Sequence, residues 1–252
     1  MSDALASAGA RLDRARERIV RSRALILDVD GTLAETEEVH RQAFNAAFVR
    51  ANLGWCWGRV VYKDLLRVAG GKERIRAFDR LHGGASQLSD AEIAELHLIK
   101  TMVYADLIAS GGCPLRPGVE ALLTAALTRS QRLAIATTTS RGNIDALLGS
   151  ALGRDWSSRF AAIVAGDEVS HKKPAPDVYL EVLSRLNLSA SECLAIEDSG
   201  IGLAAASRAR IPVLIARSAY FHDDDFSEAL AVTDDLTEVT GIEVVNREHP
   251  DR

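Results

Sequence analysis

Five short apolar runs limit what this chain can become. They are Ala24-Leu25-Ile26-Leu27, Leu133-Ala134-Ile135-Ala136, Ala161-Ala162-Ile163-Val164, Leu194-Ala195-Ile196 and Val213-Leu214-Ile215. None alternates with polar residues, and a run of this length without a polar face suits a parallel strand covered on both sides. The stretches between the later runs carry apolar residues at helical spacing. Pro117 opens one with Val119, Leu122, Leu123 and Leu127 on a common face, and Pro174 and Pro176 precede another with Val178, Leu180, Val182, Leu183 and Leu186. Proline suits a first helical turn because the N–H it lacks would be unpaired there. Alternation of strand and helix predicts an α/β fold with a doubly wound parallel sheet.

Residues 37–111 break the alternation. Helical spacing appears at Val39, Ala43, Ala46 and Ala47, and again at Ile93, Leu96 and Ile99, with Gly70-Gly71 and Gly83-Gly84 as punctuation and no buried strand. This predicts an α-helical cap over 37–111, inserted after the first strand, with the core formed by 23–36 and 112–252. Residues 1–22 stand apart as an N-terminal extension. Leu5, Leu12 and Ile19 fall at heptad spacing, which permits a short helix, yet a terminal segment of this kind is expected to be dispensable or partly ordered.

Composition narrows the function. With 252 residues and 47% hydrophobic content, the chain can fill one large domain or two smaller ones. Aromatics make up only 5%, so the core must rest on Leu, Ile, Val and Ala. A formal net charge of −5 gives no general attraction to nucleic acid or anionic lipid, so an anionic substrate must be held by local groups. Cys56, Cys113 and Cys193 make no CxxC pair, and the histidines make no HExxH, which speaks against a disulfide framework and a cysteine zinc site. No run can span a bilayer, no signal-peptide core is present, and Asp3, Asp13 and Glu17 argue against an organellar transit peptide. The expectation is a cytoplasmic monomer with reduced cysteines, and with neither nucleic-acid nor membrane partners.

In an open α/β sheet ligands bind beyond the carboxyl ends of the strands, so the residues that follow each run are the informative ones. After the first run comes Asp28-Val29-Asp30-Gly31-Thr32. Asp28 and Asp30 point to the same side of an extended chain. Two carboxylates so close need a cation or a proton between them: a hard cation such as Mg²⁺ could bridge a carboxylate and a phosphate, and a retained proton would make a general acid. After the second run, Thr137-Thr138-Thr139-Ser140 offers hydroxyls and N–H groups to a phosphate. Lys173, in His171-Lys172-Lys173-Pro174, can stabilise charge on a transferring phosphoryl group. Glu197-Asp198 ends another buried strand, where acidic groups must be paired or bind metal. Each string alone has an ordinary alternative: a solvated acidic turn, a helix cap, a surface lysine. Together, from four strand ends, they are the parts of a metal-assisted phosphoryl-transfer site.

This set resembles the haloacid-dehalogenase superfamily over nearly all of residues 23–230. The resemblance implies a Rossmann-like core with Mg²⁺. It also implies that Asp28 attacks phosphorus and becomes an aspartyl phosphate, and that Asp30 protonates the leaving oxygen and later activates water. Thr137 and Lys173 would hold phosphoryl oxygens. Asp28, the backbone carbonyl of Asp30 and Asp198 would bind the metal, with Glu197 joining directly or through water.

Within the cap, Leu33-Ala34-Glu35-Thr36-Glu37-Glu38-Val39-His40, Tyr62 and Gly70-Gly71-Lys72-Glu73-Arg74 resemble the CbbY proteins of Calvin-cycle operons, as do Ala136-Thr137-Thr138-Thr139-Ser140 and Lys172-Lys173-Pro174. CbbY proteins are phosphatases of xylulose 1,5-bisphosphate, an inhibitor of Rubisco. The resemblance implies that Glu37, His40, Tyr62 and Lys72 recognise a sugar bisphosphate. The residues agree with this: Glu37 and His40 share a helix face, and Gly70-Gly71 lets amides approach an anion beside Lys72 and Arg74. The rival readings are a β-phosphoglucomutase, a phosphoglycolate-type phosphatase and a catalytically silent sugar-phosphate-binding module. The mutases carry a serine–arginine pair where this chain has Gly71-Lys72, which favours the phosphatase. Asp28 and Asp30 are both present, which disfavours the silent module.

Overall fold

A computed structural model describes residues 2–82, 87–111 and 113–240, with side chains from residue 9 onward; the side chain of Leu5 and the Gly83-Gly84 pair lie outside these. The five apolar runs are strands β1 (Ala24–Leu27), β2 (Arg132–Ala136), β3 (Ala162–Val164), β4 (Cys193–Glu197) and β5 (Val213–Ala216). A sixth, β6 (Ala231–Thr233), is too short to stand out in the sequence. All pair in parallel, in the order β3-β2-β1-β4-β5-β6. This is the doubly wound order, with β1 at the centre and the direction of winding reversing beside it. The expected fold class is what the chain adopts.

Helices cover both faces of the sheet. One face packs Leu25, Leu27, Leu133 and Ile135 against α6 (Val119–Thr128) and α7 (Arg141–Leu152). The other packs Ala24, Ile26 and Ala195 against α8 (Asp177–Leu186) and α9 (Gly200–Arg208). Alternate strand residues thus serve opposite faces and are buried on both, which is why the runs show no polar period.

The N-terminal extension differs from its expectation. It forms α1 (Ser2–Arg21), and Leu12, Ala15 and Ile19 pack into the first cluster beside Leu214, Ala231, Leu236 and Val239. Gln131 donates to the carbonyl of Ile19 at 2.7 Å, and Arg16 donates to that of Glu238 in α10 (Thr237–Thr240) at 2.7 Å. Ala15 and Ile19 are essentially fully buried, so the segment is a packed layer rather than a loose tail. Its apolar stripe needed the β5–β6 face as a partner, and that face is assembled only in the folded protein.

Between β1 and α6 the described residues form α2 (Glu37–Arg50), α3 (Arg59–Leu65), α4 (Gly71–His82) and α5 (Asp90–Ala109). A capping box between Ser89 and Glu92 starts α5. The scarce aromatic side chains gather here: Phe44, Phe48, Trp57, Tyr62 and Phe78 pack with Leu66, Ile75, Ile93 and Leu96. The ends of α2 and α5 nearest the sheet run into the core cluster through Val39, Ala43, Val103, Tyr104 and Ile108. The helical group is therefore rooted in the core yet has its own apolar centre. Among the described residues no helix is long and apolar enough to cross a membrane.

Candidate active site

Asp28 follows the central strand, and its N–H continues the ladder to the carbonyl of Ile196 at 3.0 Å. The chain then turns at Gly31, whose φ of +79° is a left-handed value. A Cβ there would lie 1.9 Å from Oδ2 of Asp198, so glycine serves both the turn and the close approach of that carboxylate. Buried Arg116 fixes the turn from behind. Its guanidinium donates to the carbonyls of Gly31, Ala216 (2.9 Å), Arg217 and Asp234 (2.8 Å).

Lys173 joins the acidic strand ends. Its ammonium donates to Oδ1 of Asp28 at 2.7 Å, Oε1 of Glu197 at 2.5 Å and the carbonyl of Ala136 at 2.9 Å. Tyr179 donates to the same Glu197 oxygen at 2.6 Å. One cation thus serves three buried carboxylates, since Asp198 stands alongside. Burial pushes Asp28 up to about 7 against the pull of Lys173, and Asp198 is raised well above its ordinary value by burial and by the charges of Asp28 and Glu197. Burial alone would depress Lys173, but Asp28 and Glu197 more than reverse this and hold it above its ordinary value.

Such a site is short of positive charge. Oxygens of Asp28, Glu197 and Asp198 lie within 4.8 Å of one another, and Oδ2 of Asp198 is buried without a hydrogen-bond partner. A hard divalent cation fits this donor set and would satisfy the orphaned oxygen. Glu197 is the weakest donor of the set, because Lys173 and Tyr179 already occupy Oε1 and the residue does not line the cavity.

Asp30 is held differently. Its Oδ1 accepts from the Thr36 hydroxyl at 2.6 Å and lies 3.0 Å from Nε2 of His40, whose Nδ1 lies 2.6 Å from Nζ of Lys100. Burial would raise the Asp30 carboxyl, but His40, Thr36 and Lys100 outweigh it and hold it well below the usual range. Lys100, buried against Phe44 and Tyr104, is pulled down to about 7 by that burial. Asp30 is therefore held ionised, with the His40–Lys100 pair directly behind it.

Residues after the strands and residues of α2, α4 and α5 together line a cavity of about 220 Å³. Asp28, Asp30, Thr137, Thr138, Lys173 and Asp198 line it from the core, and Glu37, His40, Gly71, Lys72 and Arg74 line it from the cap. Tyr62, expected at the substrate, lies behind this surface. Its hydroxyl donates to Glu37 at 2.8 Å and accepts from Arg74 at 3.0 Å, and its ring belongs to the aromatic cluster, so it supports two lining residues from behind. Cap and core also meet on both sides of the cavity. Tyr220 donates to Glu38 at 2.9 Å and Lys63 pairs with Asp223 at 3.2 Å on one side, while Lys72 faces Asp167 at 3.6 Å on the other.

Sequence reasoning missed Lys100, His97, Asp167, Arg116 and Tyr179. Lys100 did leave a trace, since it continues the buried series Ile93, Leu96, Val103 and Tyr104 on α5, where a lysine needs a partner. The others reach the site from separate elements and left no local signal.

A family model for haloacid dehalogenase-like hydrolases matches residues 22–210. Protein CbbY of Rhodobacter capsulatus is 52% identical over 207 residues, which is 82% of this chain and 90% of that protein. The crystal structure of CbbY from Rhodobacter sphaeroides with phosphate matches at a TM-score of 0.82 and 39% identity, covering 86% of this chain and 96% of that one. A mutant of that protein in complex with xylulose 1,5-bisphosphate matches with the same TM-score, identity and coverage. Likeness of this extent leaves one conclusion: the chain belongs to the haloacid dehalogenase-like hydrolases and, among them, to the CbbY phosphatases.

Proposed function

We propose that this chain is a Mg²⁺-dependent sugar-bisphosphate phosphatase acting through a phosphorylated Asp28, with xylulose 1,5-bisphosphate as its substrate and residues 37–111 acting as the cap. The observation that carries the reading is what lines the cavity. Asp28, Thr137, Lys173 and Asp198 line it at the carboxyl ends of the strands, and α4 brings Lys72 and Arg74 to the same cavity. One phosphate can react at Asp28 while another is held by the cap, and the Rhodobacter sphaeroides relative was crystallised with such a bisphosphate.

An oxygen of Asp28 attacks phosphorus in line, and the bond to the sugar oxygen breaks. Asp30 gives that oxygen a proton, drawn on substrate binding from the His40–Lys100 pair behind it. Lys173 and the Thr137 hydroxyl hold phosphoryl oxygens as charge develops. Asp30, again ionised, takes a proton from water, which attacks the aspartyl phosphate and frees Asp28. Glu197 and Tyr179 keep Lys173 charged and in place. Asp28, Asp198 and the backbone carbonyl of Asp30 would hold Mg²⁺, with Glu197 the remaining candidate; the ion would add positive charge beside the transferring group.

The direct test is phosphate release. Inorganic phosphate is expected from xylulose 1,5-bisphosphate far faster than from β-glucose 1-phosphate, with no net conversion of the latter to glucose 6-phosphate in the presence of a bisphosphate primer. Efficient isomerisation would make the protein a mutase.

Metal removal gives a second test. Chelation is expected to abolish turnover and Mg²⁺ to restore it. Saturating Mg²⁺ is also expected to raise Tm by roughly 5 °C or more, because it neutralises mutually repelling buried carboxylates. Asp198→Asn should lose most of that shift. Full activity after exhaustive chelation, or an equal shift in the variant, would count against the metal assignment.

A further inference from the structure

The rim of the cavity carries a carboxylate that the proposed reaction does not use. Asp167 sits in the turn Gly166–Glu168 after β3 and lines the cavity from the core side. Its Oδ1 lies 3.6 Å from Nζ of Lys72, which stands in the first turn of α4 in the cap. His97 of α5 lines the same region. Burial, with the charges of Lys100 and Lys72, brings its imidazole down to about 3, while Asp167 pulls it the other way. His97 is therefore neutral, and the ion pair that Asp167 makes is with Lys72, while the Lys172 ammonium is taken by the carbonyl of Gly166.

The turn bearing Asp167 has little freedom. The N–H of Gly166 donates to the carbonyl of Thr139 at 2.8 Å, and the Lys172 ammonium donates to the carbonyl of Gly166. A Cβ on Gly166 would stand 2.1 Å from the carbonyl oxygen of Thr138, so turn and phosphate loop are in backbone contact. Glu168 is tied by the N–H of Ala165 at 2.9 Å and by Arg185 at 2.9 Å. The backbone of Asp167 is thus fixed to the core, while both side chains of the pair are about half exposed, 48% for Lys72 and 54% for Asp167.

A carboxylate beside a cation that is to receive a phosphate has a definite consequence. Without substrate it occupies the ammonium and keeps it at the rim. A phosphate dianion offers that ammonium more charge than one carboxylate does, and an exposed pair at this distance is weak, so the exchange costs little. A substrate with no second phosphate leaves the pair intact. We propose that Asp167 is a specificity-determining residue: a core carboxylate that occupies Lys72 in the free enzyme and yields it to the distal phosphate of a sugar bisphosphate. This rests on the reading of Lys72 as the cation for that phosphate.

The test is a double-mutant cycle of wild type, Asp167→Asn, Lys72→Ala and the double variant. For each protein, kcat/KM is measured on xylulose 1,5-bisphosphate and on p-nitrophenyl phosphate, and their ratio is compared. The ratio is internal to each preparation, so a change in the folded fraction cancels. Lys72→Ala is expected to lower the ratio by about ten- to a hundredfold. Asp167→Asn is expected to raise it about two- to fivefold, and to leave it unmoved when Lys72 is already alanine. If Lys72→Ala lowers the ratio while Asp167→Asn lowers it or leaves it alone, the role given to Asp167 is wrong and that of Lys72 stands. An equal rise in both backgrounds means that Asp167 acts through general charge, which also overturns the proposal. A ratio untouched by Lys72→Ala removes the distal-phosphate reading and the proposal with it.

Discussion

Asp28→Asn is expected to lose turnover by about four orders of magnitude or more while remaining folded. The substitution keeps size and shape and removes the charge. The remaining amide oxygen can still accept from Lys173, which lies 2.7 Å from Oδ1 of Asp28 in the wild-type protein. An amide is a poor nucleophile and a weak ligand for a hard cation, so bond formation and metal binding fail together. Folding should not suffer. Burial already pushes the Asp28 carboxyl up to about 7, so a neutral group at this position relieves repulsion from Glu197 and Asp198. The expected result is a Tm equal to or above that of the metal-free wild type, with no phosphate release and no acid-stable phospho-aspartate by mass spectrometry. A purified, folded Asp28→Asn protein that still turns over substrate at a substantial rate would end the nucleophile assignment.

The core side of the candidate site could be read in the sequence because of where an open parallel sheet puts its ligands. Asp28 and Thr137 follow an apolar run directly and Asp198 follows one after Glu197, so locating the strands located the residues. Lys173 could be read only as a member of that set, since it lies on a loop and its target at Asp28 is 145 residues away. Helices α2–α5 were visible as a change of period, but the packing among them was not. Tyr62 was expected at the substrate because its neighbours resemble those of a known family, whereas in the structure the aromatic cluster draws its ring inward and Glu37 and Arg74 hold its hydroxyl behind the cavity wall. Helix α1 shows the same limit from the other side. The spacing of Leu12 and Ile19 allowed a helix, but whether such a helix docks depends on Leu214, Ala231 and Leu236, which are far away in the chain. Periodicity reports one face at a time; a site or an interface needs two.

Lys173→Met should damage stability and catalysis at once, and the two losses can be separated. Methionine replaces the aliphatic stem at similar volume and removes the ammonium. Asp28, Glu197 and Asp198 then remain buried with no cation among them, and the carbonyl of Ala136 loses its donor. Breaking a buried ion pair by deleting one partner typically costs about 3–5 kcal/mol, so Tm is expected to fall by roughly 10 °C. Turnover should fall by about a thousandfold or more, since the site loses a positive charge aimed at the transferring phosphoryl group. Glu197→Gln added to Lys173→Met tells the two effects apart. Glutamine removes one stranded charge, and its carbonyl can still accept from Tyr179, which donates at 2.6 Å to Glu197 Oε1 in the wild-type protein. The double variant is therefore expected to regain a large part of the lost Tm and none of the lost activity. Recovery of activity along with Tm would show that Lys173 serves only to neutralise Glu197. Retention of both Tm and activity in Lys173→Met alone would mean that the buried lysine neither holds the carboxylates together nor meets the phosphate.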